Sequence, residues 1–257
     1  MTIQKSSTIN RQSLTVGWLY PTLMNIYGDR GNAIALAKRC EWRGIKTETI
    51  MLDLGFLEKD LKKCDILLMG GAQDKQQEIV AKDLFDKKLE LQKMITRGIP
   101  GLYICGAYQF LGNYYKEANG NIIKGLGIFD LYTENPGDNA KRLIGNMIFE
   151  TKLFGKIVGF ENHGGRTYLG RNIEAFGTII KGFGNNGTDR TEGAIYKNSI
   201  GSYSHGPILP KNPLLTDHLI KTALEIKYKT KITLNKLDDH LEQQARLAIA
   251  KRLSVGI

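Results

Sequence analysis

The 257-residue sequence predicts an α/β fold: a largely parallel central sheet with helices on both faces and added antiparallel strands. Three observations carry the fold class. Short apolar runs alternate with helical patterns through the first half of the chain. Glycines or glycine pairs close several of those runs. After about residue 120 the alternation stops, and short strand-like runs follow one another between glycines.

Residues 14–20 read as the first strand, ended by Pro21. Gly28-Asp29-Arg30-Gly31-Asn32 is turn chemistry. Asp29 is placed to cap a helix that runs through Ile34, Leu36 and Ala37 to about Trp42 and is stopped by Gly44. Residues 46–52 read as a second strand and 65–69 as a short buried one ending in Gly70-Gly71. Apolar positions from Ile79 to Ile95 predict one or two helices over 76–97. The strand 102–104 runs straight into Cys105, Gly106 and Ala107 allow a tight turn, and 108–115 reads as a helix. Strand-like runs then follow at 122–123, 144–150, 156–161, 176–180, 193–196 and 200–204, consistent with mixed or antiparallel sheet. Residues 214–227 and 237–253 read as helices. The expected organisation is a polar tail over 1–13, one domain over 14–228, and a helical tail over 229–257 that packs on the domain or on a partner.

With 42% hydrophobic residues the chain sustains one sizeable core, and no apolar run approaches the ~18–20 residues that span a bilayer. The start of the chain is polar and lacks the apolar stretch of a secretory signal. Cys40, Cys64 and Cys105 lie far apart and form no CxxC pair, as in a reducing compartment. The expected location is therefore cytoplasmic, with the inner face of the cell membrane as a variant. The net charge of +10 is spread along the chain. Its densest stretch, residues 221–236, reads as a solvated face, and no nucleic-acid-binding motif accompanies it.

Residues 101–109, Gly-Leu-Tyr-Ile-Cys-Gly-Ala-Tyr-Gln, carry the chemistry. A strand–Cys–helix elbow exposes a thiol at the carboxyl edge of a sheet and at the positive end of a helix, where a thiolate and a developing oxyanion are both stabilised. Cys105 is thus the expected nucleophile. Gly71, at the end of a neighbouring strand, lets the backbone approach, so that its N–H and that of Gly106 make an oxyanion hole. A thiol needs a base, and neutral imidazole suits pH 7. Of four histidines, His205 follows a strand that leads to the same sheet edge and is the expected base. His163, in the loop Glu161-Asn162-His163-Gly164-Gly165, is the weaker candidate, while His218 and His240 sit in ordinary helical contexts. No histidine or cysteine stands at metal-ligand spacing.

At these residues the sequence resembles the cysteine-dependent class I glutamine amidotransferases. Further stretches narrow the resemblance to the cobyric-acid-synthase-like branch and, within it, to the glutaminase subunits of lipid II isoglutaminyl synthases. They include residues 20–32 (Tyr-Pro-Thr-Leu-Met-Asn-Ile-Tyr-Gly-Asp-Arg-Gly-Asn), Gly70-Gly71-Ala72-Gln73-Asp74, Arg142-Leu143-Ile144-Gly145-Asn146, residues 159–167 and His205-Gly206-Pro207. The resemblance implies hydrolysis of L-glutamine by Cys105 and His205, with Arg142 holding the substrate α-carboxylate and Gln109 and Gly71 lining its pocket. It implies a heterodimer in which ammonia passes to a Mur-ligase-like synthetase subunit. That partner would bind ATP and Mg²⁺, neither expected on this chain, and amidate the D-glutamate of lipid II during peptidoglycan synthesis. The sequence departs from the family pattern twice: Ala107 replaces a glycine, and Pro207 stands where a glutamate usually orients the histidine. Proline cannot do this, so the expectation is a dyad completed by an acidic residue of the partner. Two other readings remain open: a non-catalytic interaction subunit on this fold, and another cysteine hydrolase such as a peptidase, for which Arg142 and Gln109 are less suited.

Overall fold

A computed structural model describes residues 12–257 apart from Asp138, so nearly all of the 1–13 segment lies outside the described residues. The chain begins β1 (Ser13–Leu19), α1 (Arg30–Glu41), β2 (Lys46–Leu52), α2 (Glu58–Leu61), β3 (Ile66–Met69), α3 (Asp74–Asp86), α4 (Lys88–Thr96), β4 (Gly101–Ile104) and α5 (Gly106–Leu111). It continues with β5 (Tyr114–Lys116), β6 (Ile122–Lys124), β7 (Leu131–Glu134), β8 (Leu143–Thr151), β9 (Gly155–His163), β10 (Arg166–Leu169), β11 (Gly177–Lys181) and β12 (Thr191–Glu192). It ends with β13 (Ala194–Tyr196), β14 (Ser199–Ser202), α6 (Ile208–Lys211), α7 (Pro213–Tyr228) and α8 (His240–Leu253).

The main sheet has the order β13-β14-β4-β3-β1-β2. Every pairing in it is parallel except the edge pair β13–β14. Its inner strands are apolar on both faces, as a covered parallel sheet requires: all four residues of β3, Ile-Leu-Leu-Met, are buried, and so are all four of β4, Gly-Leu-Tyr-Ile. One packed group of helices joins α1 and α7 over β1–β3, and another joins α2, α3 and α4. The parallel register matters for function. Leu68 of β3 and Ile200 of β14 both pair with Leu102 of β4, and Leu68 also pairs with Trp18 of β1. The carboxyl ends of β1, β3, β4 and β14 therefore finish together, and the segments that leave them meet at one edge, the place where open α/β sheets carry ligands.

The second half builds two four-stranded sheets, β10-β7-β5-β6 and β12-β11-β8-β9. Two sequence expectations change here. The helix after Cys105 stops at Leu111 instead of running to Tyr115, because a Cβ on Gly112 would sit 2.8 Å from the Leu131 carbonyl and the chain turns into β5. The strands β7 and β10, absent from the sequence reading, pair with each other through Tyr132 and Tyr168.

The C-terminal segment lies on the domain itself. Ala250, Ile249, Leu253 and Val255 cover Ile148 of β8 and Val158 of β9, and Arg246 donates to Asn212 Oδ1 and to the Lys156 carbonyl. The last helix begins at His240 rather than at 237. Ahead of it, Asp239 accepts from Arg39 of α1 at 2.6 Å. Arg39 also forks onto both oxygens of Asp217 in α7, and Arg43 donates to the same carboxylate at 2.6 Å. Asp217 thus pairs with two buried guanidinium groups, of which Arg39 also has Asp239. Replacing it with alanine leaves Arg43 with no carboxylate and is expected to cost about 2–3 kcal/mol, since an unpaired buried charge is far worse than no charge. Urea denaturation of Asp217→Ala against the parent measures this.

Candidate active site at the edge of the parallel sheet

Cys105 stands at the junction of β4 and α5 with φ 52° and ψ −107°. A non-glycine residue is costly in this region, and such strain persists only where the surroundings impose it. Here the Cys105 N–H donates to the Ser202 carbonyl of β14 at 2.9 Å, and its carbonyl accepts from Gln109 N–H at 3.0 Å. The elbow is thereby fixed on both sides, as the sequence predicted.

His205 reaches the same edge three residues beyond β14. Its backbone forms a two-way bridge with Phe160 of β9, and its ring is fully buried. Gly71 separates the two side chains: a Cβ there would lie 3.0 Å from His205 Cε1 and 3.1 Å from Cys105 Cβ. The expected close approach of the glycine pair is therefore present.

The carboxylate that the sequence did not supply comes from this chain. Asp29 Oδ1 lies 3.2 Å from His205 Nδ1, and Asp29 Oδ2 accepts the Gly71 N–H at 2.8 Å. Asp29 stands at the start of α1 as expected, but its side chain makes no capping bond. Pro207, at the position where a glutamate was sought, packs against Gly31 of α1. The Leu209 N–H donates to Asn32 Oδ1 at 2.9 Å. Proline and glycine together bring the start of α1 against the histidine loop, and this seats Asp29 beside the ring. Burial alone would lower the pKa of His205. Charge and hydrogen bonding from Asp29, and from the neighbouring Cys105, outweigh it and push the pKa up to about 10. The imidazole is then protonated at neutral pH, with Asp29 on one side and the sulfur on the other.

Two further expectations are corrected. The Gly71 N–H is occupied by Asp29, so it is not free to meet an oxyanion. Close to Cys105 stand the N–H groups of Ala72 and Gly106. Neither has an acceptor among the described residues, and a Cβ on Gly106 would lie 3.4 Å from Ala72 N. Gly71 also does not line the cavity; Ala72 and Gln73 do. Its role is to bind Asp29 and to make room for Cys105 and His205.

The cavity beside Cys105 has a volume of about 270 Å³, which suits an amino acid. Gln109, Arg142 and His163 line it, with Gln77, Tyr27 and Asn162, which the sequence reading had not singled out. Gln109 is buried and donates to the Tyr203 hydroxyl at 3.1 Å. Arg142 is exposed at the mouth. It donates from Nε to Asn162 Oδ1 and from Nη2 to the Asn162 carbonyl, with no carboxylate partner among the described residues. Its Nη1 side is thus free for an anion. His163 stacks on Tyr203 with ring centroids 3.6 Å apart, and its Nδ1 contacts the Gly165 carbonyl. Burial lowers its pKa, so it is a neutral wall of the pocket with Nδ1–H donating, and Asp29 and Cys105 flank His205 instead.

A buried thiol on a strained elbow, an imidazole beside a carboxylate, two free N–H groups and an arginine lining the same small cavity are the apparatus of acyl transfer from a small amide. The chain matches the CobB/CobQ-like glutamine amidotransferase domain over residues 15–213. It belongs to that family. It is 41% identical over 245 residues to the lipid II isoglutaminyl synthase (glutamine-hydrolyzing) subunit GatD of Staphylococcus aureus, covering 93% of this chain and 96% of that protein. The GatD subunit of Streptococcus pneumoniae is also 41% identical, over 90% of this chain and 88% of its own. A probable cobyric acid synthase of Methanosphaera stadtmanae is 32% identical over 62% of this chain but only 34% of its own length. A crystal structure of a glutamine amidotransferase superposes with a TM-score of 0.57 at 16% identity, covering 81% of this chain and 98% of that one, which shows the shared fold. This chain is thus a glutamine amidotransferase with the α/β fold predicted.

A Cβ on Gly71 would press on His205 Cε1, Cys105 Cβ and Ile26 at 3.0–3.2 Å, so those side chains would have to shift by a few tenths of an ångström. Gly71→Ala is expected to lower glutamine-dependent ammonia release by on the order of 10²-fold or more, because the added methyl separates thiol from imidazole and misplaced reacting groups lose rate steeply. An ammonia-release assay, alongside a melting curve showing a folded variant, checks this.

Proposed function

We propose that this chain is the glutamine-hydrolysing subunit of a lipid II isoglutaminyl synthase. The observation that carries the reading is the near-full-length identity to GatD subunits, 41% over 93% of this chain, combined with an amino-acid-sized pocket that has a thiol at one end and an arginine at the other. Glutamine enters with its α-carboxylate on the free edge of Arg142 and its side-chain amide at Cys105. With the thiol proton held on His205, the sulfur attacks the amide carbon, and the oxyanion formed meets the N–H groups of Ala72 and Gly106. The C–N bond then breaks as His205, protonated and oriented by Asp29, gives its proton to the departing nitrogen. Ammonia leaves and a glutamyl thioester remains. Water, losing a proton to the now neutral His205, hydrolyses the thioester to glutamate and restores the starting pair of Cys105 sulfur and protonated His205.

Ammonia would pass to a Mur-ligase-like synthetase subunit that binds ATP and Mg²⁺ and converts the D-glutamate α-carboxyl of lipid II to an amide. Among the described residues no helix is long and apolar enough to cross a membrane. Work beside a lipid-linked substrate would therefore rest on the partner or on surface contact.

The reading separates the two half-reactions. In the complex with the synthetase, Cys105→Ala is expected to abolish amidation of lipid II with glutamine as nitrogen donor, while amidation with ammonium chloride continues. Mass spectrometry of the lipid II product distinguishes these outcomes. Glutamine-dependent product from the Cys105→Ala complex would refute the assignment of Cys105, and loss of both activities would mean that the chain supports its partner structurally instead.

A further inference from the structure

The mouth of the pocket carries a hydrogen-bonded chain that the steps above do not use. Asn162, near the end of β9, accepts Arg142 Nε–H on its side-chain oxygen at 3.0 Å and Arg142 Nη2–H on its backbone carbonyl at 3.2 Å. Its side-chain nitrogen donates to the Tyr27 hydroxyl at 2.8 Å. The Tyr27 ring in turn meets the His205 ring edge to face, with centroids 5.0 Å apart at 73°. Arg142, Asn162, Tyr27 and His205 thus form a continuous path from the cationic anchor to the catalytic imidazole.

Three features argue that this path is built for a purpose. First, Tyr27 is held at φ 52°, a strained conformation for a tyrosine. Cys105 is the other residue of the site in that region. Such strain tends to be kept where the position of a side chain matters. Secondly, the amide of Asn162 has no freedom to flip. Arg142 Nε can only donate, so the oxygen must face it, and the nitrogen must then face Tyr27. Thirdly, Asn162 occupies the Nε–Nη2 edge of the guanidinium and leaves Nη1 without a partner among the described residues. Arg142 lies on an exposed segment just before β8, and a free arginine there would lose considerable rotamer entropy on taking up a carboxylate. The clamp meets part of that cost before substrate arrives.

We propose that Asn162 and Tyr27 are positioning residues for glutamine. Asn162 presets the Arg142 guanidinium so that its open edge faces the substrate α-carboxylate. Tyr27 fixes Asn162 through its hydroxyl and braces His205 through its ring. The two ends of the substrate are thereby registered against each other, so that a ligand correctly seated at Arg142 has its amide at the thiol. This deepens the glutaminase reading and rests on it. It also accounts for the Tyr27 loop: Ile26, Tyr27 and Asp29 all enter the site from one short segment, tied to Gly71 by the Ile26 N–H.

The test is steady-state ammonia release by the full-length chain, measured in complex with its synthetase subunit, for Asn162→Ala, Tyr27→Phe, Arg142→Ala and the double variants. Losing one such hydrogen bond is expected to raise KM for glutamine about three- to tenfold in Asn162→Ala and in Tyr27→Phe, with kcat changed less than about twofold. Because Asn162 acts through Arg142, adding Asn162→Ala to Arg142→Ala is expected to have almost no further effect on KM. Tyr27→Ala, which also removes the ring beside His205, is expected to lower kcat where Tyr27→Phe does not. An unchanged KM in both single variants, or fully additive effects in the Arg142→Ala background, overturns the proposal. If instead the parent complex releases no ammonia from glutamine, the glutaminase reading itself has failed. Melting curves identify any variant that does not fold, and Tyr27→Phe, which removes one oxygen from a half-exposed ring, keeps the test decisive if Asn162→Ala is lost.

Discussion

One carboxylate holds the candidate site together. Asp29 gives one oxygen to the Gly71 N–H and the other to the His205 ring, so a single buried side chain ties the loop after β1 to the turn after β3 and to the segment after β14. Those three segments surround Cys105. The glycine pair makes this possible: a Cβ on Gly70 would lie 2.8 Å from Asp29 Oδ2, and one on Gly71 would press on both the Cys105 and His205 side chains. Two adjacent positions without side chains let a carboxylate, an imidazole and a thiol share a space that would otherwise be filled.

The rest of the fold supplies what this arrangement needs. The parallel register brings four strand ends to one edge. The Ser202 carbonyl holds the Cys105 N–H and so anchors the elbow to the strand that leads to His205. Packing of Pro207 on Gly31 substitutes for a carboxylate carried within the histidine segment itself. The route differs from the sequence expectation, but the physical requirement is the same: an imidazole must be held in one orientation, and its charged form must be stabilised in a buried place. Asp29 Oδ1, 3.2 Å from His205 Nδ1, supplies a carboxylate at the ring from within this chain.

Much of this was legible in the sequence because it rests on local rules. The run Leu102-Tyr103-Ile104-Cys105-Gly106-Ala107 announces a strand, a sharp turn and a helix, and the histidine after a short strand could be matched to it by topology. Arg142 and Gln109 came through family resemblance, and both line the cavity. The role of Asp29 was not legible, because the same residue at the start of a helix satisfies the capping rule, and only the tertiary approach of the histidine loop shows where its oxygens go. Of the two expected N–H donors, Gly71 is already taken by Asp29, for the same reason: the sequence locates the glycine turn but not which N–H is engaged. Asn162 and Tyr27 were part of the motifs quoted for resemblance, yet no spacing rule links residues 135 positions apart.

The central claim is that Asp29, from within this chain, orients and charges the catalytic imidazole. The direct measurement is kcat/KM for ammonia release from glutamine by Asp29→Asn, with the chain alone and with the proposed synthetase subunit. An asparagine can still accept the Gly71 N–H, but its amide nitrogen then faces His205 Nδ1 and imposes the wrong tautomer. The account predicts a fall on the order of 10³-fold in both settings, with a near-parental melting temperature. Parental activity in Asp29→Asn, alone or in complex, would contradict it.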